Sequence, residues 1–359
     1  MEAEPETKVV PAAESAPAGG VAVIRRRIGR YEIIQRLGHG GMATVYLARA
    51  TGSAGFEKLV AIKVIHPHLA ADPELVDMFL DEARIAARIH NPHVVEILDL
   101  GHEQGDYFMV MEAVDGETLS ALIRKLRPSD GRLPLPVVLQ ILIDACEGLR
   151  AAHELRDADG NLLGLIHRDI SPQNLLIDLS GWVKIVDFGI MKAKGRRTDT
   201  RTGQLRGKLP YMSPEQAQSR PLTATCDLFA LGVILWELLT GQRLFAGEND
   251  VETLARVVAC ERPPLASVRP DLPASLAAIL DRALAREPGD RYPTAEAMLG
   301  DLRQLLREID DGGDPRTSLA AIMREHFGDQ AEYRRRASAR GGSRPRIALV
   351  PDADADGGP

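Results

Sequence analysis

Cysteine is scarce and scattered. Cys146, Cys226 and Cys260 are odd in number, far apart and without the paired spacing of a disulfide framework or a zinc-thiolate site. Cys146 falls inside the apolar run 139–149 and Cys226 lies beside another, so both read as small buried hydrophobes in a reducing compartment. Net positive charge is missing as well. A formal charge of -7 and a pI of about 5.8 argue against a general nucleic-acid binder, which presents a basic face to phosphates. No apolar run is long enough to cross a bilayer: the most apolar one, 228–239, contains Glu237 and is too short. Glu2, Glu4 and Glu6 among prolines exclude a signal peptide at the first residues. The expectation is a cytoplasmic protein with neither a membrane nor a nucleic-acid partner, its 359 residues sufficient for two lobes and a large core.

Residues 1–28, rich in Ala, Pro, Glu and Gly, are expected to be a disordered tail, closed by Arg25, Arg26 and Arg27 as a solvated charge run. From Tyr31, apolar residues at Ile33, Leu37, Val45 and Leu47 predict a hairpin that turns on a Gly-rich segment. Residues 59–65 read as a further strand, and 94–98 and 107–111 complete a five-stranded sheet. Between them 75–89 has helical spacing (Val76, Phe79, Leu80, Ala83, Ala86, Ala87), with Glu82 expected on the side opposite this stripe. Beyond Val114 the pattern changes to long helices at 135–155, 223–240, 251–259, 276–285 and 295–306. The run Asp157-Ala158-Asp159-Gly160-Asn161 is a turn-rich insertion. Residues 309–336 read as a linker and a short helix with Leu319, Ile322, Met323 and Phe327 on one face, and 337–359 as a second disordered tail. No internal repeat is present.

Five short motifs carry the chemistry. Gly38-His39-Gly40-Gly41-Met42-Ala43-Thr44-Val45 is a loop whose glycines let the backbone approach phosphates. Val60-Ala61-Ile62-Lys63 places a lysine at the end of a strand. His167-Arg168-Asp169-Ile170-Ser171-Pro172-Gln173-Asn174 offers an Asp to orient a hydroxyl and an Asn five places on, and Asp187-Phe188-Gly189 adds a second Asp on a later turn. Ser213-Pro214-Glu215 closes the segment that Asp187 begins. Each motif alone is weak evidence, but the ordered set over roughly residues 31–308 resembles the protein-kinase family, bacterial serine/threonine (Hanks) type. The insertion before the catalytic loop is similar to the branch found in predatory and social soil bacteria, the myxobacterial kinases.

The resemblance implies an α+β, bilobal kinase fold: a five-stranded antiparallel sheet plus one helix in an N-lobe (29–111), a hinge (112–116) and a mainly helical C-lobe (117–308). It implies ATP as phosphoryl donor, Mg²⁺ as cofactor and protein Ser/Thr hydroxyls as acceptors. Lys63 would contact the α/β-phosphates and be held by Glu82. Gly38 and Gly40 would cover the phosphates, while Leu37, Val45, Ala61 and Leu176 sandwich the adenine. Met111 would back that pocket, with Glu112 and Val114 presenting backbone groups to the adenine edge. Asp169 would take or orient the hydroxyl proton, and Asn174 and Asp187 would hold Mg²⁺ through oxygen. Glu215 with Arg291, and Asp227 with Gly232, would be structural. Glu117 reads equally as a contact to ribose or a basic substrate and as an exposed charge.

Two departures stand out. Ala43 replaces the third loop glycine, and is small enough for the loop to work. Ser171 stands two residues after the catalytic Asp, where such kinases carry a lysine. Lys208, in Gly207-Lys208-Leu209-Pro210-Tyr211, stands where they carry a threonine. The hydroxyl and the ammonium therefore look exchanged, and the expectation is that Lys208 restores the cation beside Asp169 and the γ-phosphate. The alternative is a weakly active or inactive pseudokinase that serves as a nucleotide-binding scaffold. A small-molecule phosphotransferase is disfavoured, because those enzymes lack the long segment closed by Ser-Pro-Glu. That segment is basic (Lys192, Lys194, Arg196, Arg197, Arg201, Arg206) around Thr198, Thr200 and Thr202. Phosphate on these threonines would pair with arginines, Arg168 among them, and an activating kinase or self-association would supply it.

Overall fold

Alternation along two strands decides where the site can be. In the computed structural model, which describes residues 27–127, 131–188, 207–309 and 312–339, one antiparallel sheet is built from β1 (Arg27–Ile28), β2 (Tyr31–His39), β3 (Ala43–Thr51), β4 (Glu57–Ile65), β5 (Ile97–Glu103) and β6 (Asp106–Glu112), in the order β1-β2-β3-β4-β6-β5. The side chains of Val60, Ile62, Val64, Phe108 and Val110 bury on its outer face, with Ile28 and Tyr31. The alternate residues Ala61, Ile65, Met109 and Met111 bury on its inner face against Phe79 and Ala83. Period-two geometry thus puts Lys63 on the inner face, between Ala61 and Ile65.

The sheet has six strands where five were expected. The extra one pairs Arg27 with Glu32 and Ile28 with Tyr31, and two residues are too few to show an alternation. Arg27 and Ile28 therefore belong to the sheet and not to the tail. β5 begins at Ile97, later than expected, because Val94 forms an isolated bridge to Ile185. The helix on the inner face, α2 (Pro73–Ala86), follows the single turn α1 (Pro67–Ala70). It is capped by Asp72, whose carboxylate accepts from the Glu74 N–H. Glu82 is buried, not opposite the apolar stripe. It lies three residues after Phe79 and four before Ala86, which is the same helical face.

The chain then passes through residues 112–116 into β7 (Gly116–Thr118), α3 (Leu119–Leu126) and α4 (Leu135–His153). β7 joins β8 (Leu175–Asp178) and β9 (Val183–Ile185) in a small sheet ordered β7-β8-β9. Downstream come α5 (Pro214–Ala217), α6 (Thr225–Thr240), α7 (Asp250–Ala259), α8 (Leu265–Val268), α9 (Ala274–Ala283), α10 (Ala295–Glu308) and α11 (Pro315–Ala339). Every residue of α6 is buried. Its apolarity all round is that of a central core helix, and among the described residues no helix is long and apolar enough to cross a membrane. Gly232 sits where a Cβ would come within 3.0 Å of Ala283 and Leu284 side chains, so it lets α6 lie close to the end of α9. The turn-rich insertion is a small hairpin in which Arg156 bridges Leu162 and the Asp157 carboxylate accepts from the Asp159 and Asn161 N–H groups. The expected short C-terminal helix is in fact 25 residues long.

Candidate active site

Lys63 reaches from the inner face of β4 to two carboxylates. Its Nζ lies 2.8 Å from Asp187 Oδ1 and 3.3 Å from Glu82 Oε1. Burial acts to lower the ammonium pKa, but Asp187 and Glu82 overturn that and hold it above its ordinary value. Glu82 is pushed up by burial, which Lys63 only partly offsets. Burial also acts to raise Asp187, but its Lys63 contact brings it below the ordinary value. Asp187 has a left-handed backbone, φ 57, which costs a non-glycine residue about 1–3 kcal/mol.

The catalytic loop hangs from one buried carboxylate. Asp227, at the start of α6, accepts from the His167 N–H (2.8 Å, Oδ2) and the Arg168 N–H (2.8 Å, Oδ1). His153, at the end of α4, also touches Oδ2 at 2.8 Å. Burial alone would raise the Asp227 pKa; these partners bring it below its usual value. Arg168 is thereby held at φ 66, and its carbonyl accepts from Gln216 Nε2. Among the described residues its guanidinium has no hydrogen-bond or ion-pair partner.

Asp169 is approached from two sides. Asn174 Nδ2 donates to its carbonyl at 2.7 Å and to Oδ2 at 3.0 Å. Lys208 Nζ lies 2.5 Å from the same Oδ2. The ammonium expected to restore the missing cation thus stands at Asp169. Ser171 is buried, and its Oγ has no hydrogen-bond partner among the described residues, so the two exchanged groups do not touch. The three activation-segment threonines, Thr198, Thr200 and Thr202, lie outside the described residues.

Val45, Ala61, Met111, Val114 and Leu176 meet in one apolar cluster at the mouth of the hinge. Leu37 does not join it and is 42% exposed at the rim. A Cβ on Gly38 would meet nothing within 4 Å, so the protein's own packing does not demand glycine there. Gly40 closes the turn through its N–H to the Ala43 carbonyl at 2.8 Å. The Glu112 carboxylate is taken by Lys184 at 2.6 Å. Glu117, left open by the sequence, is engaged by Arg334.

The donor set suits Mg²⁺. No cluster of three or more His, Cys, Asp or Glu residues that could hold a metal occurs among the described residues. What the cleft offers is the Asp187 carboxylate and the Asn174 amide oxygen, the amide nitrogen being committed to Asp169. One or two hard oxygen donors, completed by substrate phosphates and water, is how proteins hold Mg²⁺. Glu215 and Arg291 form the expected buried pair, bidentate at 2.7 Å on both oxygens. His153 was missed as a support of the catalytic loop. A histidine ending an amphipathic helix carries no signal of the partner it meets 74 residues later.

With this geometry established, comparison with known proteins is informative. The protein kinase domain family matches residues 31–301. The tyrosine-protein kinase MasK of Myxococcus xanthus is 44% identical over 311 residues, 87% of this chain and 48% of MasK. The serine/threonine-protein kinase PrkC of Bacillus subtilis is 38% identical over 282 residues, 78% of this chain and 41% of PrkC. The chain therefore spans less than half the length of these two curated relatives. The crystal structure of the Mycobacterium tuberculosis PknI kinase domain superposes with a TM-score of 0.58 at 27% identity, covering 79% of this chain and 99% of that one.

Proposed function

The chain belongs to the protein kinase family, and on that ground we propose that it transfers the ATP γ-phosphate to Ser or Thr hydroxyls of proteins. The observation that carries the proposal is the convergence of Lys63, Asp187, Asn174, Asp169 and Lys208 on one site. Asp169 orients the acceptor hydroxyl and takes its proton as the oxygen bonds to the γ-phosphorus. The bond from that phosphorus to the bridging oxygen breaks, and ADP leaves with the electron pair. Lys63 holds the α/β-phosphates, and Lys208 sits where negative charge gathers on the transferring group. Mg²⁺ held by Asn174 and Asp187 would neutralise phosphate charge.

Arg168, next to Asp169, is proposed to pair with a phosphate on the activation segment. Pro172 and the Ser-Pro-Glu closure favour Ser/Thr acceptors, whereas the relative MasK is named a tyrosine kinase. A cytoplasmic location and a protein substrate complete the proposal. The test is autophosphorylation of the full chain with Mg²⁺-ATP, mapped by mass spectrometry. Phosphate on Ser or Thr, including one or more of Thr198, Thr200 and Thr202, is expected. Phosphotyrosine alone would overturn the acceptor class, and bound nucleotide without transfer would favour the scaffold reading.

A further inference from the structure

Helix α11 lies beyond the residues that match the kinase family, yet it is tied to the hinge. Its first half is anchored by packing and by one arginine. Leu319, Ala320, Met323 and Phe327 are buried. Arg316 gives a bidentate pair to Asp144 at 2.7 and 2.8 Å, and its guanidinium lies 3.7 Å from the centre of the Trp182 ring. Gly181 makes the close approach possible. It has φ +83, and a Cβ there would come within 2.4 Å of the Arg316 carbonyl oxygen.

The last turns of α11 make a different kind of contact. Arg334 Nη1 donates to the Gly116 carbonyl at 2.9 Å and Nη2 pairs with Glu117. Arg335 lies 3.7 Å from Asp115 Oδ2. Further back, Arg324 donates to the Leu179 carbonyl, and the Leu179 N–H donates to the Asp115 carbonyl. Three successive residues at the hinge exit are thus held from outside by charge and hydrogen bonds. A cleft of about 350 Å³ is lined by residues 112–115 of the hinge and by Arg324 and Arg335 of α11. The same backbone matters on its inner side. Met111 and Val114 line the adenine pocket, and Thr118 of β7 pairs with Leu176 at its floor.

We propose that Arg334 is a positioning residue for nucleotide binding: by fixing Gly116 and Glu117 from outside, it sets the path of the hinge that shapes the adenine pocket. The proposal rests on the nucleotide-binding part of the function proposed above. It places the residue 217 positions from its partner in sequence and outside the kinase domain itself. The effect falls on affinity for nucleotide and spares the chemical step, because Arg334 touches neither phosphate nor acceptor.

The test uses the full chain, with affinity for Mg²⁺ and a non-hydrolysable ATP analogue measured by calorimetry, and KM for ATP and kcat by autophosphorylation. Arg334→Glu is expected to weaken analogue binding and raise KM about tenfold, the size of one charge-assisted pair, with kcat within about twofold. Glu117→Arg should do the same, and the charge-swapped double variant should recover most of the loss, because opposite charges face each other again. Arg334→Met, which keeps the packing stem, serves if Arg334→Glu does not fold. Unchanged analogue affinity in a folded variant would overturn the inference, as would a loss confined to kcat or one the swap does not recover. A wild-type chain that binds no nucleotide would instead fail the kinase reading and this inference with it.

Discussion

Two ion pairs in the C-lobe set the same charges in opposite surroundings. Glu215 and Arg291 have side chains 1% and 0% exposed and meet through two contacts of 2.7 Å. The remaining arginine hydrogens go to the carbonyls of Ala285, Arg286 and Thr225, and the guanidinium covers the Phe229 ring. Asp169 and Lys208 meet through a single contact in a partly open cleft. A planar fork with every hydrogen placed can only be held or broken. An ammonium on a long stem can swing to another anion and return. On the proposed function the buried pair is structural, and the pair in the cleft lies where substrate charge would be accommodated.

The sharpest way to break the comparison is to remove the acceptor in the open pair. Asp169→Asn should lower kcat by roughly 10³- to 10⁴-fold with little change in Tm, measured by phosphoryl transfer and calorimetry. Arg291→Ala should do the reverse. It leaves Glu215 buried without its partner, and a loss of about 3–5 kcal/mol of stability is expected in denaturant titration. If both variants lost activity and stability alike, the division between a working and a structural pair would be wrong.

Lys208→Ala is expected to cost less. A fall of about 10²-fold in kcat, near 2.7 kcal/mol, with a smaller rise in KM for ATP, fits the loss of one donor to transition-state charge. The smallest effect is on pH dependence. Burial acts to raise the Glu215 pKa, but Arg291 holds it below the ordinary value of 4.5. A depressed carboxylate contributes stability that is present above that value and lost as pH falls through the folded pKa. Glu215→Gln should therefore flatten the stability loss below pH 4.5, read from denaturant midpoints across that range.

The parts of the site that share a short motif were legible in the sequence. Asp169 and Asn174 sit five residues apart on one loop, and Lys63 is placed by strand alternation alone. Glu82 was assigned the right partner but the wrong side of its helix, because its spacing from Phe79 and Ala86 was not counted. The two-residue strand β1 shows no period. His153 beneath Asp227, and Arg334 on Glu117, are joined only by the folded chain across long separations, and local patterns carry no trace of such contacts. Lys208 was legible because a familiar pair of residue types stands exchanged, although the silence of the Ser171 hydroxyl was not.

The central claim is that Lys208 supplies the cation missing at position 171. It is tested most directly by kcat for four proteins: wild type, Lys208→Thr, Ser171→Lys and the double variant. The account predicts that Lys208→Thr loses activity on the order of 10²-fold and that adding Ser171→Lys recovers much of it. Ser171→Lys alone should be neutral or harmful, because two ammonium groups crowd one site. Strict additivity across the four would contradict the account and make the two positions independent.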